Sequence, residues 1–421
     1  MRCRRLPVVL ASLVSAASCT ASSAGSRQGP DTSAPVAATA TTVIAPTTIS
    51  ADPSAAGGPS ATTTTSASTT GPSTTTGPEP FALVGPGRFA VGVQTITIDD
   101  GKRNRPLTVD VWFPITADPA LPPHDYALLP GVYYRSPGAV SATPANLTGG
   151  PFPLVVYSHG SGGLRYIHAA YTEAIASHGY IVAAPDHTGN TAVERITGQG
   201  ADPSRILLDR PDDVRAVIDA MTDTSHPTAG GFATHVDPAR VAVTGHSLGG
   251  FTAYAMAAGY ANELGSTAPD PRVRAIVTLA PATGGLADEE LARVAIPAMT
   301  IVGTDDKTTP VVPNVERAWS LTTGRPSYRV ELVHAEHQTF TDLCRYQTFL
   351  PTLTAPVPEV VKTVIDEFAV EGCSPGDMPI DRATDLTTTF AITFLDSVFA
   401  GGHPIDPATT AIPDDVRYLV K

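Results

Sequence analysis

A β-branched segment at residues 240–244 runs directly into the turn Gly245-His246-Ser247-Leu248-Gly249, and an alanine-rich segment follows to about residue 261. The first segment predicts a buried strand and the last a helix, so the turn must redirect the chain within five residues. Glycines on both sides of the serine fit a strained turn that other backbone approaches closely. The pattern therefore predicts a serine side chain at the carboxyl end of a strand, beside a helix N-terminus that favours developing negative charge.

The rest of residues 81–421 alternates short apolar segments with helical ones, which predicts an α/β domain with a mostly parallel central sheet and helices on both faces. Segments 89–98 and 107–113 alternate apolar and polar residues, which indicates an antiparallel hairpin. A helix is predicted at 211–221 with Pro211 near its first turn, and the strand at 328–333 is expected to be the last. The short segment between 280 and 298 leaves no room for a large cap domain there.

The first 80 residues differ in composition from the rest of the chain. Residues 1–18 combine basic residues, a short apolar run and small residues, the pattern of an export signal. The segment before Cys19 resembles a bacterial lipoprotein cleavage box, so a lipid anchor at Cys19 and plain secretion both stay open. Residues 19–80 are almost entirely Ala, Ser, Thr, Pro and Gly, and we expect a disordered linker. A bacterial protein that is secreted or held at the cell surface is expected.

Charge and histidine spacing limit the classes of partner. The formal net charge is −13 and Lys and Arg do not cluster, which argues against nucleic acid and against charge-driven binding to anionic lipid. A membrane contact is expected only through the possible anchor at Cys19. The 11 histidines are scattered without metal-ligand spacing, so we expect no metal and no other cofactor. We expect a monomer.

Cys344 and Cys373 are the two cysteines that lie outside the N-terminal signal region. In an exported protein, two such cysteines pair more often than they stay free. We therefore expect a disulfide between them, which would stabilise the fold by about 3 kcal/mol in the chain-entropy model.

A serine hydroxyl becomes a good nucleophile only when a neighbouring base takes its proton. In a strand-turn-helix setting such as that of Ser247, an acid and then a histidine are expected later in the chain, at the carboxyl ends of strands. Asp305 and Asp306 follow one predicted strand, and His334 and His337 follow the next. His337 lies in the loop that can reach back to Ser247, whereas either aspartate fits the acid position.

Two backbone amides are needed to stabilise an oxyanion next to such a serine. One candidate is the amide of Leu248, directly after Ser247. The other is the amide of Ser161, in the glycine-containing turn His159-Gly160-Ser161 that follows a predicted buried strand.

Five segments carry a resemblance to a known family: Arg105-Pro106-Leu107-Thr108-Val109-Asp110-Val111-Trp112-Phe113-Pro114, Val156-Tyr157-Ser158-His159-Gly160, 176–187, Arg210-Pro211-Asp212-Asp213-Val214 and Gly245-His246-Ser247-Leu248-Gly249-Gly250. Together they resemble the platelet-activating-factor acetylhydrolase-like and predicted dienelactone hydrolase group of α/β hydrolases. The resemblance implies an α/β-hydrolase fold. Its Gly-x-x-Asp-x-x-x-Pro loop selects Asp306, its base before Phe340 selects His337, and its residue after His-Gly selects Ser161. Dienelactone hydrolases use a cysteine where this chain has Ser247, which weakens that substrate assignment.

The resemblance implies hydrolysis of a carboxylic ester through an acyl-serine intermediate, with a small-molecule, lipid or polymer ester as substrate. Among enzymes, the alternatives are a phospholipid acetylhydrolase or lipase and a polyester hydrolase similar to cutinases. Outside enzymes, the alternative is a non-catalytic binding protein on the same fold. Such proteins usually lose a member of the catalytic set, whereas this chain has all three residue types in the expected order.

Overall fold

The computed structural model describes residues 78–129, 131–354 and 357–421. The predicted export signal, Cys19 and residues 19–77 of the predicted linker lie outside the described residues. The first described strand, Glu79–Pro80, lies just before the predicted start of the domain at residue 81.

The strands of the described part, in chain order, are β1 (Glu79–Pro80), β2 (Ala90–Asp100), β3 (Arg105–Ile115), β4 (Pro123–Leu129), β5 (Val132–Ser141), β6 (Phe152–Ser158), β7 (Ile181–Pro185), β8 (Val236–His246), β9 (Tyr260–Asn262), β10 (Gly265–Thr267), β11 (Val273–Leu279), β12 (Ala298–Gly303), β13 (Ser327–Leu332), β14 (Thr410–Ala411) and β15 (Val416–Val420).

The α-helices are α1 (Ala169–Ser177), α2 (Ala192–Thr197), α3 (Pro203–Thr222), α4 (Gly230–Ala233), α5 (Leu248–Ala258), α6 (Asp288–Ala292), α7 (Arg317–Leu321), α8 (Leu343–Phe349), α9 (Glu359–Ala369) and α10 (Ile380–Phe399). A π-helical turn at Val312–Glu316 precedes α7, and a 3-10 turn at His337–Phe340 precedes α8.

Eleven strands form one sheet in the order β15-β13-β12-β11-β8-β6-β7-β3-β2-β5-β4. The six strands from β13 to β7 in this order are parallel to one another. Antiparallel pairs extend the sheet at both ends, except that β2 and β5 pair in parallel. Strands β2 and β3 form the predicted hairpin, with Ala90 opposite Ile115 and Asp100 opposite Arg105. The mostly parallel sheet predicted from the sequence is confirmed.

Alternate residues of β6 point to opposite faces of this sheet. Leu154 and Val156 belong to a buried apolar cluster that includes residues of α3 and α5. Val155 and Tyr157 belong to a second cluster, which includes residues of α1 and α10. Since side chains alternate along a strand, a central strand buried on both sides requires a helical layer on each face. The structure has both layers, as predicted.

Two boundary predictions were wrong. Helix α3 begins at Pro203 rather than near residue 211, and Pro211 lies inside it. Asp202 caps the helix, because its side chain accepts a hydrogen bond from the Arg205 amide at 3.1 Å, and this Asp-Pro start is the stronger signal. The strand near 328–333 is not the last one, since β15 pairs antiparallel with β13 at the edge of the sheet.

The predicted disulfide is present and joins Cys344 on α8 to Cys373, four residues after α9, with 5.3 Å between the two Cα atoms. It closes a loop that begins just after the segment His337–Phe340. Cys344 is buried. The cross-link therefore holds α9 and the residues after it against this segment.

Within residues 78–129, 131–354 and 357–421, no helix has the length and apolar character needed to cross a membrane. The same ranges contain no group of three or more His, Cys, Asp or Glu side chains placed to hold a metal ion.

Candidate active site

Ser247 lies between the end of β8 and the first residue of α5 in a strained conformation. Its φ of 55° and ψ of −115° are rare for a residue with a side chain. The surrounding backbone holds this conformation, because the Ser247 amide donates to the Leu279 carbonyl at 2.9 Å and its carbonyl accepts from the Ala282 amide at 3.0 Å. The turn leaves the Ser247 side chain partly exposed at the carboxyl edge of the sheet.

The glycines beside Ser247 allow β6 to approach the turn. A Cβ at Gly245 would lie 2.6 Å from the carbonyl oxygen of Ser158, and a Cβ at Gly249 would collide with the same oxygen. Side chains at either position would push the end of β6 away from the turn. The two glycines therefore keep the residues after Ser158 next to Ser247.

Asp306 and His337 form a buried hydrogen-bonded pair. The Nδ1–H group of His337 donates to Oδ2 of Asp306 at 2.9 Å, and both side chains are almost completely buried. Thr309 supports the carboxylate, with its amide donating to Oδ1 at 2.6 Å and its hydroxyl lying 2.7 Å from Oδ2. Burial alone would raise the pKa of Asp306, but the hydrogen bonds from His337 and Thr309 outweigh it and hold that pKa below its usual value. Asp306 is therefore ionised at neutral pH.

An ionised Asp306 determines which nitrogen of His337 carries the proton. A carboxylate only accepts hydrogen bonds, so Nδ1 of His337 is protonated and Nε2 of the neutral ring is free to take a proton. The backbone of His337 is held by His246, the residue that precedes Ser247, because Nε2–H of His246 donates to the His337 carbonyl at 2.9 Å. Burial, together with the nearby His337, lowers the pKa of His246 to about 3, so His246 stays neutral. His246 thus orients His337 and does not transfer protons.

The structure brings Ser247 and the Asp306–His337 pair to one rim of the sheet. The rings of His246 and His337 are 4.6 Å apart, which places His337 beside the residue preceding Ser247. The Thr309 hydroxyl lies 3.0 Å from the Ala280 carbonyl, next to Leu279, which accepts from the Ser247 amide. Among the described residues, Ser247 Oγ has no hydrogen-bond partner, His337 included. Catalytic hydrogen bonds of this kind are often long without substrate and tighten when substrate binds.

The two predicted oxyanion amides belong to segments that adjoin Ser247. Leu248 is the first residue of α5, where backbone N–H groups have no helical partner. Ser161 lies in the turn after β6, and a Cβ at the neighbouring Gly160 would be 3.5 Å from the Cβ of Ser247. The Ser161 hydroxyl lies 3.3 Å from Nδ2 of Asn190, which holds the turn in place.

Asp305 and His334 form a second acid–histidine pair in the same two loops. Nδ1 of His334 lies 3.2 Å from Oδ2 of Asp305, but both side chains are exposed. Hydrogen bonding from Thr304, together with His334, lowers the pKa of Asp305 although the group is solvated. The pairing is thus Asp306 with His337 and Asp305 with His334, and the buried pair is the one beside Ser247.

A third constellation, fully buried, was missed in the sequence. Nδ1–H of His187 donates to Asp213 at 3.0 Å, and the Ser158 hydroxyl donates to Nε2 of His187 at 2.9 Å. These are the residue types of a catalytic triad, but Ser158 has no solvent access. Burial, then the positive charges of Arg210 and neighbouring arginines, lowers the pKa of His187 well below its usual value, so the ring is neutral. This cluster is a support for the end of β6.

Arg210 of α3 connects the turn after β6 with helix α5, the two segments that contain the predicted oxyanion amides. Its fully buried guanidinium donates to the His159 carbonyl, to Asn190 Oδ1 at 2.5 Å and to Thr252 of α5 at 3.2 Å. Asn190 in turn contacts Ser161. Burial lowers the pKa of Arg210 to about 9, so the group is still charged at neutral pH. One cation therefore connects the turn that contains Ser161 to the helix that begins with Leu248.

We expect Arg210→Met to lower kcat for ester substrates by about 100-fold with little change in KM, because the turn that carries the Ser161 amide would lose its anchor, and loss of one oxyanion donor has an effect of this size. Arg205→Met is the matched control, since Arg205 lies on the same helix with a half-exposed side chain paired to Asp209. Steady-state kinetics and thermal melts of both variants test whether Arg210 holds the oxyanion amides in place. A folded Arg210→Met enzyme with the kcat of the control would contradict it.

Known proteins share part of this sequence. The family described as platelet-activating factor acetylhydrolase, isoform II, matches residues 137–205, which include Ser161 but not Ser247, Asp306 or His337. The platelet-activating factor acetylhydrolase of Bos taurus is 41% identical over 63 residues, 15% of this chain and 14% of the relative. That of Cavia porcellus is 28% identical over 142 residues, 25% of this chain and 31% of the relative. The chain thus matches less than one third of the length of these relatives.

A solved structure shows the same fold over a longer stretch. The ferulic acid esterase from Streptomyces cinnamoneus superposes on 82% of this chain and on its own full length, with a TM-score of 0.57 and 24% sequence identity. This likeness confirms the α/β-hydrolase fold predicted from the sequence. The fold and the sequence matches together support the predicted resemblance to α/β hydrolases of the platelet-activating-factor acetylhydrolase type.

Proposed function

We propose that this α/β hydrolase, similar in part to platelet-activating factor acetylhydrolases, is a serine enzyme that hydrolyses carboxylic esters. In this proposal Ser247 is the nucleophile, His337 the base and Asp306 the group that orients the base. The observation that carries the proposal is the buried hydrogen bond between Asp306 and His337 at 2.9 Å, next to the strained Ser247 turn. A binding protein would have no need for a buried, ionised carboxylate that leaves one imidazole nitrogen unprotonated.

The reaction would proceed in two halves. His337 Nε2 takes the proton of Ser247 as the serine oxygen attacks the ester carbonyl, and the oxyanion that forms faces the amides of Leu248 and Ser161. Asp306 stabilises the imidazolium without taking its proton. The imidazolium then protonates the leaving alkoxide, and an acyl-serine remains. Water, deprotonated by His337, attacks the acyl-serine and releases the acid and free Ser247.

The proposed substrate class, a carboxylic ester, follows from the chemistry of the site and from the proteins that resemble this chain. The proteins that resemble this chain are named as an acetylhydrolase and a ferulic acid esterase, and both names denote hydrolases of carboxylic esters. A short-chain acyl ester of a phospholipid is the second candidate, favoured by the family match at 137–205. Polymeric esters are a further class to test.

We also infer that the protein is exported, either secreted or held at the cell surface through Cys19. The Cys344–Cys373 disulfide supports this, since such bonds persist in oxidising compartments. The protein would act as a monomer on its ester substrate, with no nucleic-acid partner.

The direct test uses purified residues 78–421 with p-nitrophenyl acetate and p-nitrophenyl butyrate, followed by a panel of longer acyl esters, acetylated phospholipid and polyester. We expect hydrolysis of the short acyl esters and covalent labelling by a fluorophosphonate, because the probe reacts with an activated serine. Peptide mass mapping is expected to place the label on Ser247.

Acid-denatured protein serves as the control, because the probe needs the folded site. Labelling of Ser158 or Ser161 in place of Ser247 would refute the assigned nucleophile. A folded protein that neither hydrolyses the esters nor reacts with the probe would favour a binding protein on this fold.

A further inference from the structure

The segment that follows α9 crosses both loops of the Asp306–His337 pair. Glu371 lies in this segment and is half-buried. Its Oε1 accepts hydrogen bonds from the amides of Lys307 and Thr308, each at 2.7 Å, and its Oε2 accepts from the Thr308 hydroxyl at 2.5 Å. The residues that bind this carboxylate directly follow Asp306 in the chain.

The backbone of the same residue binds the other loop. The Gln338 amide, next to His337, donates to the Glu371 carbonyl at 2.8 Å. Gly372 has a φ of 130°, and a Cβ there would lie 2.6 Å from the Thr339 amide nitrogen, so the segment packs directly on the loop. One residue thus bonds to the loop of the acid through its side chain and to the loop of the base through its main chain.

The disulfide anchors this segment at its far end. Cys373 is two residues after Glu371, and its partner Cys344 lies on α8, which follows the His337–Phe340 turn. Without the bond, residues 369–373 would be held by their hydrogen bonds and by the packing of the buried Ala369 and Gly372. The cross-link therefore restricts the segment to the position in which Glu371 reaches both loops.

We propose that Glu371 is a positioning residue, which sets Asp306 at the correct distance from His337, and that the Cys344–Cys373 disulfide keeps Glu371 in place. The proposal rests on the ester hydrolase function proposed above. Three hydrogen bonds to one carboxylate hold the acid loop more firmly than neutral acceptors would. A displacement of about 1 Å in such a constellation lowers turnover by about 100-fold. Because Glu371 does not touch the reacting atoms, its loss affects kcat and leaves substrate binding in place.

The test compares Glu371→Ala, Glu371→Gln and the control Glu367→Ala, an exposed residue on α9. We expect Glu371→Ala to lower kcat by about 10- to 100-fold with KM unchanged within about twofold. Glutamine keeps an acceptor for the two amides, and the Thr308 hydroxyl accepts from its amide group, so this variant is expected to retain kcat within about threefold. The control is expected to match the wild type.

A second variant covers the case in which Glu371→Ala does not fold. Thr308→Val removes the hydrogen bond to Oε2 alone, and we expect a several-fold lower kcat at constant KM. The double variant Cys344→Ala/Cys373→Ala is expected to lower kcat in the same way, and its effect should combine less than multiplicatively with that of Glu371→Ala. Thermal melts show that each variant is folded at the assay temperature.

Wild-type turnover and labelling of Ser247 by the fluorophosphonate separate the two proposals. An inactive, unlabelled wild type would refute the proposed function. An active wild type together with folded Glu371→Ala and Thr308→Val variants of unchanged kcat would overturn the role of Glu371. A rise in KM with constant kcat would overturn it as well, because it would place Glu371 in substrate binding.

Discussion

We expect Ser247→Ala to lower kcat for ester hydrolysis by about 10⁶-fold, the effect of removing the nucleophile of other serine hydrolases. The loss is expected to be this large because the remaining groups of the site cannot replace the Ser247 hydroxyl as nucleophile. Ser158, which donates to His187 in the acid–histidine cluster at the end of β6, is completely buried and accepts a hydrogen bond from Arg210 at 3.1 Å. The measurement is a burst and steady-state assay with p-nitrophenyl butyrate, in which both the acylation burst and turnover should disappear.

The fold of the Ser247→Ala variant is expected to be unchanged, because alanine keeps the Cβ and the backbone hydrogen bonds of the turn run through Leu279 and Ala282. Ser158→Ala is the companion variant. It is expected to retain labelling by the fluorophosphonate, whereas Ser247→Ala loses it. If Ser247→Ala still turned over the ester at a rate near that of the wild type, another nucleophile would have to be found and the proposed function would need a new site.

The turn at Ser247 could be predicted because its determinants are local. A β-branched strand, two glycines and a helix of small residues occur within about 20 positions, and the structure shows why each is needed. Gly245 and Gly249 give space to the Ser158 carbonyl, and the positive φ of Ser247 is held by the adjacent strand. The chain order of acid and histidine is likewise a property of sequence, so the region of the site could be named before the structure.

The choice between the two aspartates could not be derived from local sequence. Asp305 and Asp306 are neighbours after the same strand, and they differ in burial, which depends on how the loop turns. Only the resemblance to a family selected Asp306. In the structure, Thr309 folds back on Asp306 and turns it inward, while Thr304 bonds to Asp305 at the surface.

The support of the site was missed for a different reason. Arg210 contacts residues 51 and 42 positions away in the chain, and Glu371 reaches a loop 63 positions away. No local sequence pattern predicts contacts between residues so far apart in the chain. Helix α3 carries several other charged residues, so the charge of Arg210 alone did not mark it as buried. The sequence offered only its place in the segment Arg210-Pro211-Asp212-Asp213-Val214, which carries the family resemblance, and the predicted helix began after it.

The two acid–histidine pairs provide the second large effect. We expect Asp306→Asn to lower kcat by about 10⁴-fold, while Asp305→Asn leaves it within about twofold, as is usual for a surface substitution. Asparagine at 306 keeps the shape of the side chain, and its oxygen still accepts from the Thr309 amide. Its amide group then faces Nδ1 of His337 as a donor, so the ring adopts the tautomer with the proton on Nε2. That ring cannot accept the proton of Ser247.

The corresponding variants of the two histidines complete the comparison. Together, the four variants distinguish control of the His337 tautomer from a simple loss of negative charge in the aspartate loop. His337→Ala is expected to fall to the level of Ser247→Ala, whereas His334→Ala keeps wild-type turnover because its partner Asp305 is exposed and outside the site. The four variants are measured together by kcat and KM with p-nitrophenyl butyrate, alongside thermal melts. Equal effects of Asp305→Asn and Asp306→Asn would mean that the net negative charge of the loop matters. In that case the buried hydrogen bond to His337 would not be the source of the activity.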